Sequence, residues 1–410
     1  MYFKSITLAG SMALLSSAAF AGCGISGGNV SILSNDFAAI NAVTAAAAEC
    51  AGDGVEVTIN ATSEHRDLQV AALSANPAQY SSAVISNGSI VPLLNEGLVR
   101  SLDDLVAKHG SSLNPNQLIT MDGKIMAIAF MANAQHLFYR SDILEQAGVD
   151  VPSTYEDVLN AAEAIRDQGI MEYPVALNTK TGWNLGEEFV NMYMGTGAAM
   201  FNPGTAEVAI NNDHGVATLN MLKALTEYSD PDFLTFDSNA TAALWEAGNL
   251  AMATLWGSRG APILDDEGST EAITSATVLA AAPTWGGGST PASTLWWDGF
   301  TIAKNVSDAD AEATFIAMIN GISTDMVKAN NDLAPWLIEG YVPDATAAGV
   351  AATAAGGANP YPMLPFMGTL HGALGGELSD FLQGNESAEQ ALADVEAAYT
   401  TAAKEKGFLN

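Results

Sequence analysis

Val30-Ser31-Ile32-Leu33-Ser34-Asn35-Asp36-Phe37 is the stretch that decides the fold. Its first four residues read as a short buried strand. Asn35 or Asp36 can then cap a helix that runs through Phe37, Ile40 and Val43 to Cys50. Gly52 and Gly54 stop that helix, and Val55-Glu56-Val57-Thr58-Ile59 alternates as a second strand. Leu68 to Leu73 repeats the helical pattern. Ser82-Ala83-Val84-Ile85 repeats the strand, with a turn at Ser86-Asn87-Gly88. Strands alternating with helices form βαβ units and predict a mainly parallel sheet. Ligands of such sheets sit beyond the carboxyl ends of the strands. Residues 34–36 and 86–89 therefore mark a candidate cleft.

A second α/β unit begins after residue 130. Ser153 precedes a helix with Tyr155, Val158, Leu159, Ala162 and Ile165 on one face. Residues 174–177 read as a strand, and helices follow at 184–194, 215–228 and 239–247. A strand over 250–255 ends at Trp256-Gly257-Ser258-Arg259, and further strands are expected at 278–282 and 300–303. The tail from Glu377 to Lys406 reads as two amphipathic helices interrupted near Gly384. Residues 347–358 read as a small-residue loop or a frayed helix. A chain of 410 residues suits two lobes better than one.

The N-terminus predicts export. Lys4 precedes a mostly apolar run from Ile6 to Phe20, and Ala19-Phe20-Ala21 offers small residues where signal peptidase reads. The expectation is a signal peptide over 1–21, cleaved after Ala21, and a periplasmic protein. Two readings of Cys23 stand. An even cysteine count in an exported chain points to a Cys23–Cys50 disulfide. Phe20-Ala21-Gly22-Cys23 also resembles a lipoprotein box, in which Cys23 would be acylated and anchor the chain.

Charge narrows the partners. Forty-six acidic against fourteen basic residues give −32, which opposes phosphate, nucleic acid and anionic membranes. The hydrophobic fraction of 49% excludes a disordered acidic tail. A folded chain of this charge points to a salty, halophilic or marine exterior, where screening is short-ranged. A modestly acidic periplasmic protein in ordinary medium is the other reading.

Four stretches, in order, resemble the extracellular solute-binding proteins that include maltose- and trehalose-binding proteins. They are Asn95-Glu96-Gly97-Leu98-Val99-Arg100-Ser101-Leu102-Asp103-Asp104, Asp122 to Phe130 continuing through Asn133 to Arg140, Gly148 to Leu159, and Gly299 to Asn305 with the helix after it. The resemblance implies a type II-like periplasmic binding protein fold: two α/β lobes, several crossovers between them, and a ligand held by hinge closure. It implies a first lobe of 24–132 plus 286–330 and a second of 133–285 plus 331–410. It further implies a monomer that hands a small neutral carbohydrate to the permease subunits of an ABC importer, without cofactor or metal. Two departures leave the particular ligand open. Ser86-Asn87-Gly88 stands where relatives carry Trp or an acid, and Arg259 where a Trp is common.

Sugars present flat C–H faces, which aromatic rings cover, and a rim of hydroxyls, which Asp, Asn, Glu and Arg bond. Trp296-Trp297-Asp298 therefore reads as a stacking platform with a hydroxyl acceptor. Side chains alternate along a strand, so one of the two adjacent indoles belongs to the core. Trp183 and Trp256 offer further rings and Arg259 a donor, and the resemblance implies a hinge contact from Asn133. Asn35 and Asp36 are ligand contacts or helix caps. Ser86, Asn87, Glu64 and His65 follow strands, and Phe366 and His371 precede the last helices. No nucleophile elbow, zinc-binding helix or P-loop is present, which argues against an enzyme. Carboxylate pairs such as Asp103-Asp104 keep a glycosidase as an alternative. A polyol or another non-sugar solute remains a second alternative.

Overall fold

The computed structural model describes residues 23–52 and 54–410. The expected signal peptide and its cleavage site lie outside them. Among the described residues eleven strands fall into two sheets. In chain order they are β1 (Val30–Ser34), β2 (Val57–Ala61), β3 (Ser82–Ser86), β4 (Leu118–Met121), β5 (Lys124–Asn133), β6 (Gln135–Arg140), β7 (Val175–Ala176), β8 (Met252–Trp256), β9 (Thr277–Ala280), β10 (Thr294–Ile302) and β11 (Asn359–Pro360). The first sheet runs β2-β1-β3-β10-β5-β4, with β11 beside β10, and the second runs β7-β8-β6-β9.

Neither sheet is mainly parallel. β1 pairs in parallel with β2 and β3, as the βαβ pattern requires, but β10 enters antiparallel to β3 and to β5. In the second sheet only β7–β8 is parallel. The reason is connectivity. β5 and β6 are joined by the single residue Ala134, and β10 reaches the first sheet after a long passage through the second, so neither arrives by a right-handed helical crossover. β10 is also longer than the expected 300–303 and takes in both adjacent tryptophans.

The first sheet is covered by the Ala38–Ala48 and Asp308–Gly321 helices, around a core that includes Ile32, Val43, Phe130, Phe300 and Phe315. Ala334, Trp336 and Ile338 belong to this core, although the sequence assigned them to the second lobe. Ala292 packs in the second lobe's core, although the sequence assigned it to the first lobe. That core surrounds the Trp183–Met194 helix, every residue of which from 185 to 193 is buried. The Asp213–Thr226, Met367–Glu377 and Ala388–Glu405 helices enclose it. Residues 348–355 form a complete helix.

Two local features position the cleft. Cys23 and Cys50 form a disulfide that ties the start of the described chain to the end of the 38–48 helix. On β10 a bulge falls between Asp298 and Gly299. Gly299 is required there because a Cβ would run into Ile128 O of β5. A bulge re-aims the side chain beside it, here Asp298.

Candidate functional site

A cleft of about 380 Å³ opens between the lobes at the carboxyl ends of β1, β2, β3 and β8. The first lobe contributes Asn35, Asp36 and Phe37 after β1, Ser63, Glu64, Arg66 and Asp67 after β2, and Ser86 at the end of β3. The second lobe contributes 180–184, Asp237 to Asn239, Trp256, Ser258 and Arg259. Asn133 lies at the crossover, with its Nδ2 donating to Ser258 Oγ at 3.2 Å. The register of β10 sets Trp296 opposite Asn133 and Asp298 opposite Ser86. Residues i and i+2 share a strand face, so Trp296 and Asp298 both look into the cleft.

Three indoles meet there. Trp183 lies 6.3 Å from Trp256, nearly parallel, and Trp296 meets both edge-on at 5.7 and 5.8 Å. Trp296 is the anchored one, only 5% exposed. Its Nε1 donates to Glu187 Oε1 at 3.0 Å and to Thr294 Oγ1 at 2.8 Å. Trp183 is backed by His371, stacked at 4.8 Å, whose Nε2 donates to Trp183 O. Tyr361 donates to His371 Nδ1 at 2.8 Å, so the imidazole is neutral, and burial holds its pKa down at about 4. Trp183 and Trp256 are half-buried, more open than Trp296.

The charges in the cleft are few and poorly paired. Arg66, in the first turn of the His65–Ser74 helix, carries its guanidinium across the gap to 3.9 Å from the Trp183 ring and 6.0 Å from Trp296. Among the described residues no acceptor hydrogen-bonds it, and burial pulls its pKa below the ordinary value. Asp298 also lacks a hydrogen-bonding partner for its carboxyl, which burial pushes up to about 7 against the opposing field of Arg66. A partly buried carboxyl and a guanidinium without partners are strong hydrogen-bonding groups held ready for a solute. Arg259 bridges the lobes in the opposite sense. It donates to Ser238 and Asn239 and sits 5.2 Å from the Phe37 ring.

Beneath the cleft lie two adjacent buried acids. Burial pushes Glu187 up to about 8 and Glu188 to about 7. Thr294 Oγ1 lies 2.9 Å from Glu187 Oε1 and 2.7 Å from Asn191 Oδ1. One hydroxyl has one proton to give, so Thr294 donates to only one of the two oxygens. Glu188 accepts from the backbone and side-chain amides of Asn178.

A family model described as bacterial extracellular solute-binding protein matches residues 32–321, more than half of the chain. The chain belongs to this family. A curated relative, the ABC transporter periplasmic-binding protein YcjN of Escherichia coli K12, is 31% identical over 94 residues, 23% of this chain. The match spans a fifth of that relative's length. Among solved structures, a solute-binding protein of Agrobacterium radiobacter K84 in complex with ribitol superposes with a TM-score of 0.80 at 20% identity, covering 92% of this chain and 99% of that one. Maltose-bound MalE3 of T. maritima superposes at 0.77 with 18% identity, covering 92% and 100%. At these identities the two structures bear on the fold, and it is the two-lobed fold of solute-binding proteins.

In this solute-binding protein the cleft gathers Asn35, Asp36, Glu64, Ser86, Asn133, Trp183, Trp256, Arg259, Trp296 and Asp298 from the sequence-based candidates. Asn35 and Asp36 are not helix caps. The cap position is Phe37, without a side-chain cap bond, and Asp36 accepts from Asn41 instead. Five candidates fall outside. His65 is buried at the start of its helix. Asn87 donates to Leu295 O at 3.1 Å. Trp297 points to the opposite face of β10 and packs on the first lobe. Phe366 packs on Phe201 and Phe408, beside a separate groove of the second lobe. His371 lies behind Trp183 and acts on the cleft only through that ring. The sequence reading missed Arg66, Phe37, Asp67, Lys180, Asn184 and Asp237 to Asn239, all of which line the cleft.

Proposed function

We propose that this chain is the extracytoplasmic binding subunit of an ABC importer and that it captures a neutral carbohydrate or polyol between its lobes. The observation that carries the reading is the grouping of three indoles with the Arg66 guanidinium and the Asp298 carboxyl, both without hydrogen-bond partners among the described residues, in a cleft facing both lobes. Indole faces take the C–H faces of a sugar, and the two polar heads take its hydroxyl rim. The ribitol and maltose held by the similar structures agree with that chemistry. A net charge of −32 opposes anionic solutes.

The lobes in this reading are 24–132 with 294–341, and 133–293 with 342–410, joined through Asn133, the start of β10 and the segment after Tyr341. Ligand contacts on both faces favour the closed arrangement by differential affinity, which gives the permease a shape to recognise. The chain acts as a periplasmic monomer, its signal peptide removed after Ala21, and it returns its ligand chemically unchanged. In this reading Cys23 pairs with Cys50 rather than carrying an acyl chain, and their disulfide geometry supports it.

A thermal-shift screen of neutral mono- and disaccharides and polyols, run at high salt, tests the proposal. A ligand that binds only the folded state raises the melting temperature by mass action. At least one neutral member should raise it, and be recovered intact. A screen in which only anionic solutes stabilise, or in which the ligand is hydrolysed, overturns the reading.

A further inference from the structure

Two arginines cross the gap between the lobes in opposite directions. Arg66 leaves the first lobe and lies 3.9 Å from the centre of the Trp183 ring of the second. Arg259 leaves the second lobe and lies 5.2 Å from the Phe37 ring of the first. We propose that these reciprocal arginine–aromatic contacts are a clasp: they hold the lobes together by protein groups alone, so that closure does not wait for a solute. The inference stands on the two-lobed fold and does not depend on the class of solute.

The choice of partners carries the proposal. The chain offers forty-six acids to its arginines, and Arg100 and Arg140 pair with Asp308 and Asp142. Among the described residues neither Arg66 nor Arg259 makes a salt bridge. Arg259 donates to Ser238 and Asn239, neutral groups of its own lobe, and its Nε is buried without a partner among the described residues. What the two guanidiniums share is a ring of the opposite lobe within the reach of a cation–π contact. A guanidinium stacks on such a ring by its planar face. Both rings are fixed. Trp183 lies against His371 at 4.8 Å, and Phe37 packs on the first lobe's core at the start of the 38–48 helix. An arginine that lands on a fixed ring orders only itself. At the rim Asn95 Nδ2 donates to Pro365 O at 2.8 Å, a further bond from one lobe to the other. A net charge of −32 spread over both lobes pushes them apart. The clasp sets one positive charge from each lobe in the gap and opposes that repulsion. A solute then has less closure to drive, because apparent affinity scales with the fraction already in the competent arrangement.

The test uses Arg66→Met and Phe37→Leu, singly and together, with Phe37→Tyr as the variant that keeps a ring. All are freed of solute by unfolding, dialysis and refolding. Methionine and leucine keep an apolar side chain at each position, so circular dichroism and a single cooperative melt should show folded lobes. Small-angle X-ray scattering at high salt then reads how far apart the lobes stand. The parent and Phe37→Tyr should fit the present arrangement of the lobes. Each contact should be worth about fivefold in the ratio of closed to open protein, and the two together about 25-fold. The double variant should therefore show a larger radius of gyration and maximum dimension, with the single variants between. A parent that scatters as a more open shape than the present one overturns the inference, as does a double variant indistinguishable from the parent. If the double variant fails to fold, Phe37→Leu against Phe37→Tyr decides, and equal scattering of those two overturns it. A solute screen that overturns the proposed function would leave this inference standing.

Discussion

Raising the pH from 6.5 to 8 should destabilise this protein, and replacing Glu187 by Gln should remove much of that effect. Burial pushes Glu187 up to about 8, and Glu188 and Asp298 to about 7. It pushes His65 down to about 3, and His136 and His371 to about 4. In the unfolded chain the acids titrate near 4 and the histidines near 6.5. Between those values and the folded ones, each acid keeps a proton in the folded state that the unfolded state has lost. Stability from the acids therefore falls as pH rises. Each histidine does the reverse, because the unfolded state holds the extra proton, so its contribution rises up to about pH 6.5. With three of each, the slopes oppose one another between about 4.5 and 6.5. Above 6.5 only the acids remain. One pKa unit is worth about 1.36 kcal/mol, so Glu187 alone should account for about 2 kcal/mol between pH 6.5 and 8. In Glu187→Gln the carboxamide oxygen can replace Oε1, which both Trp296 Nε1 and Thr294 Oγ1 approach, and the side chain no longer ionises. Urea unfolding at fixed high salt, at three pH values across this range, reads both curves. A flat or rising curve for the parent refutes the reasoning, as does an equal slope for Glu187→Gln.

Three further outcomes are expected. With a net charge of −32, the melting temperature should climb as sodium chloride approaches about 1 M, where screening is nearly local; a flat curve counts against a salt-adapted surface. The mature protein should weigh two hydrogens less than its reduced form and carry no lipid, and reduction should cost about 3.5 kcal/mol by closing entropy over the 27-residue separation; an acyl mass increment would establish the lipoprotein instead. Trp296→Ala should lower unfolding free energy without ligand by about 3–5 kcal/mol, since the ring is 5% exposed and doubly hydrogen-bonded; an unchanged melting curve would show that it is not a core anchor.

Much of the fold was legible because periodicity is local. The βαβ pattern from Val30 to Ser86 needs no distant partner, and β1 and β3 fall within a residue of their expected bounds. β10 was not legible at full length, because its first half is read only against β5 and β3, far away in the chain. Alternation puts the adjacent tryptophans on opposite faces of β10, and only the register decides that Trp296 is the one lining the cleft. Arg66 was missed because its helix begins at His65, three residues before the apolar pattern starts, and those three residues turn its side chain toward the other lobe. Glu187 and Glu188 were not among the sequence-based candidates. A signal existed: they are the only charged residues in the 183–194 helix, whose other positions are apolar, aromatic, Asn or Gly. A helix with so little polar surface is enclosed by protein, and its acids are then buried.

The central claim is that a neutral sugar or polyol is held between Trp256 and Asp298. Calorimetric titration of the best ligand from the screen into the parent, Trp256→Ala and Asp298→Ala tests it most directly. Each variant should fold as the parent does and lose about 2 kcal/mol of binding, about 30-fold in affinity. Two folded variants that bind as tightly as the parent would contradict the account.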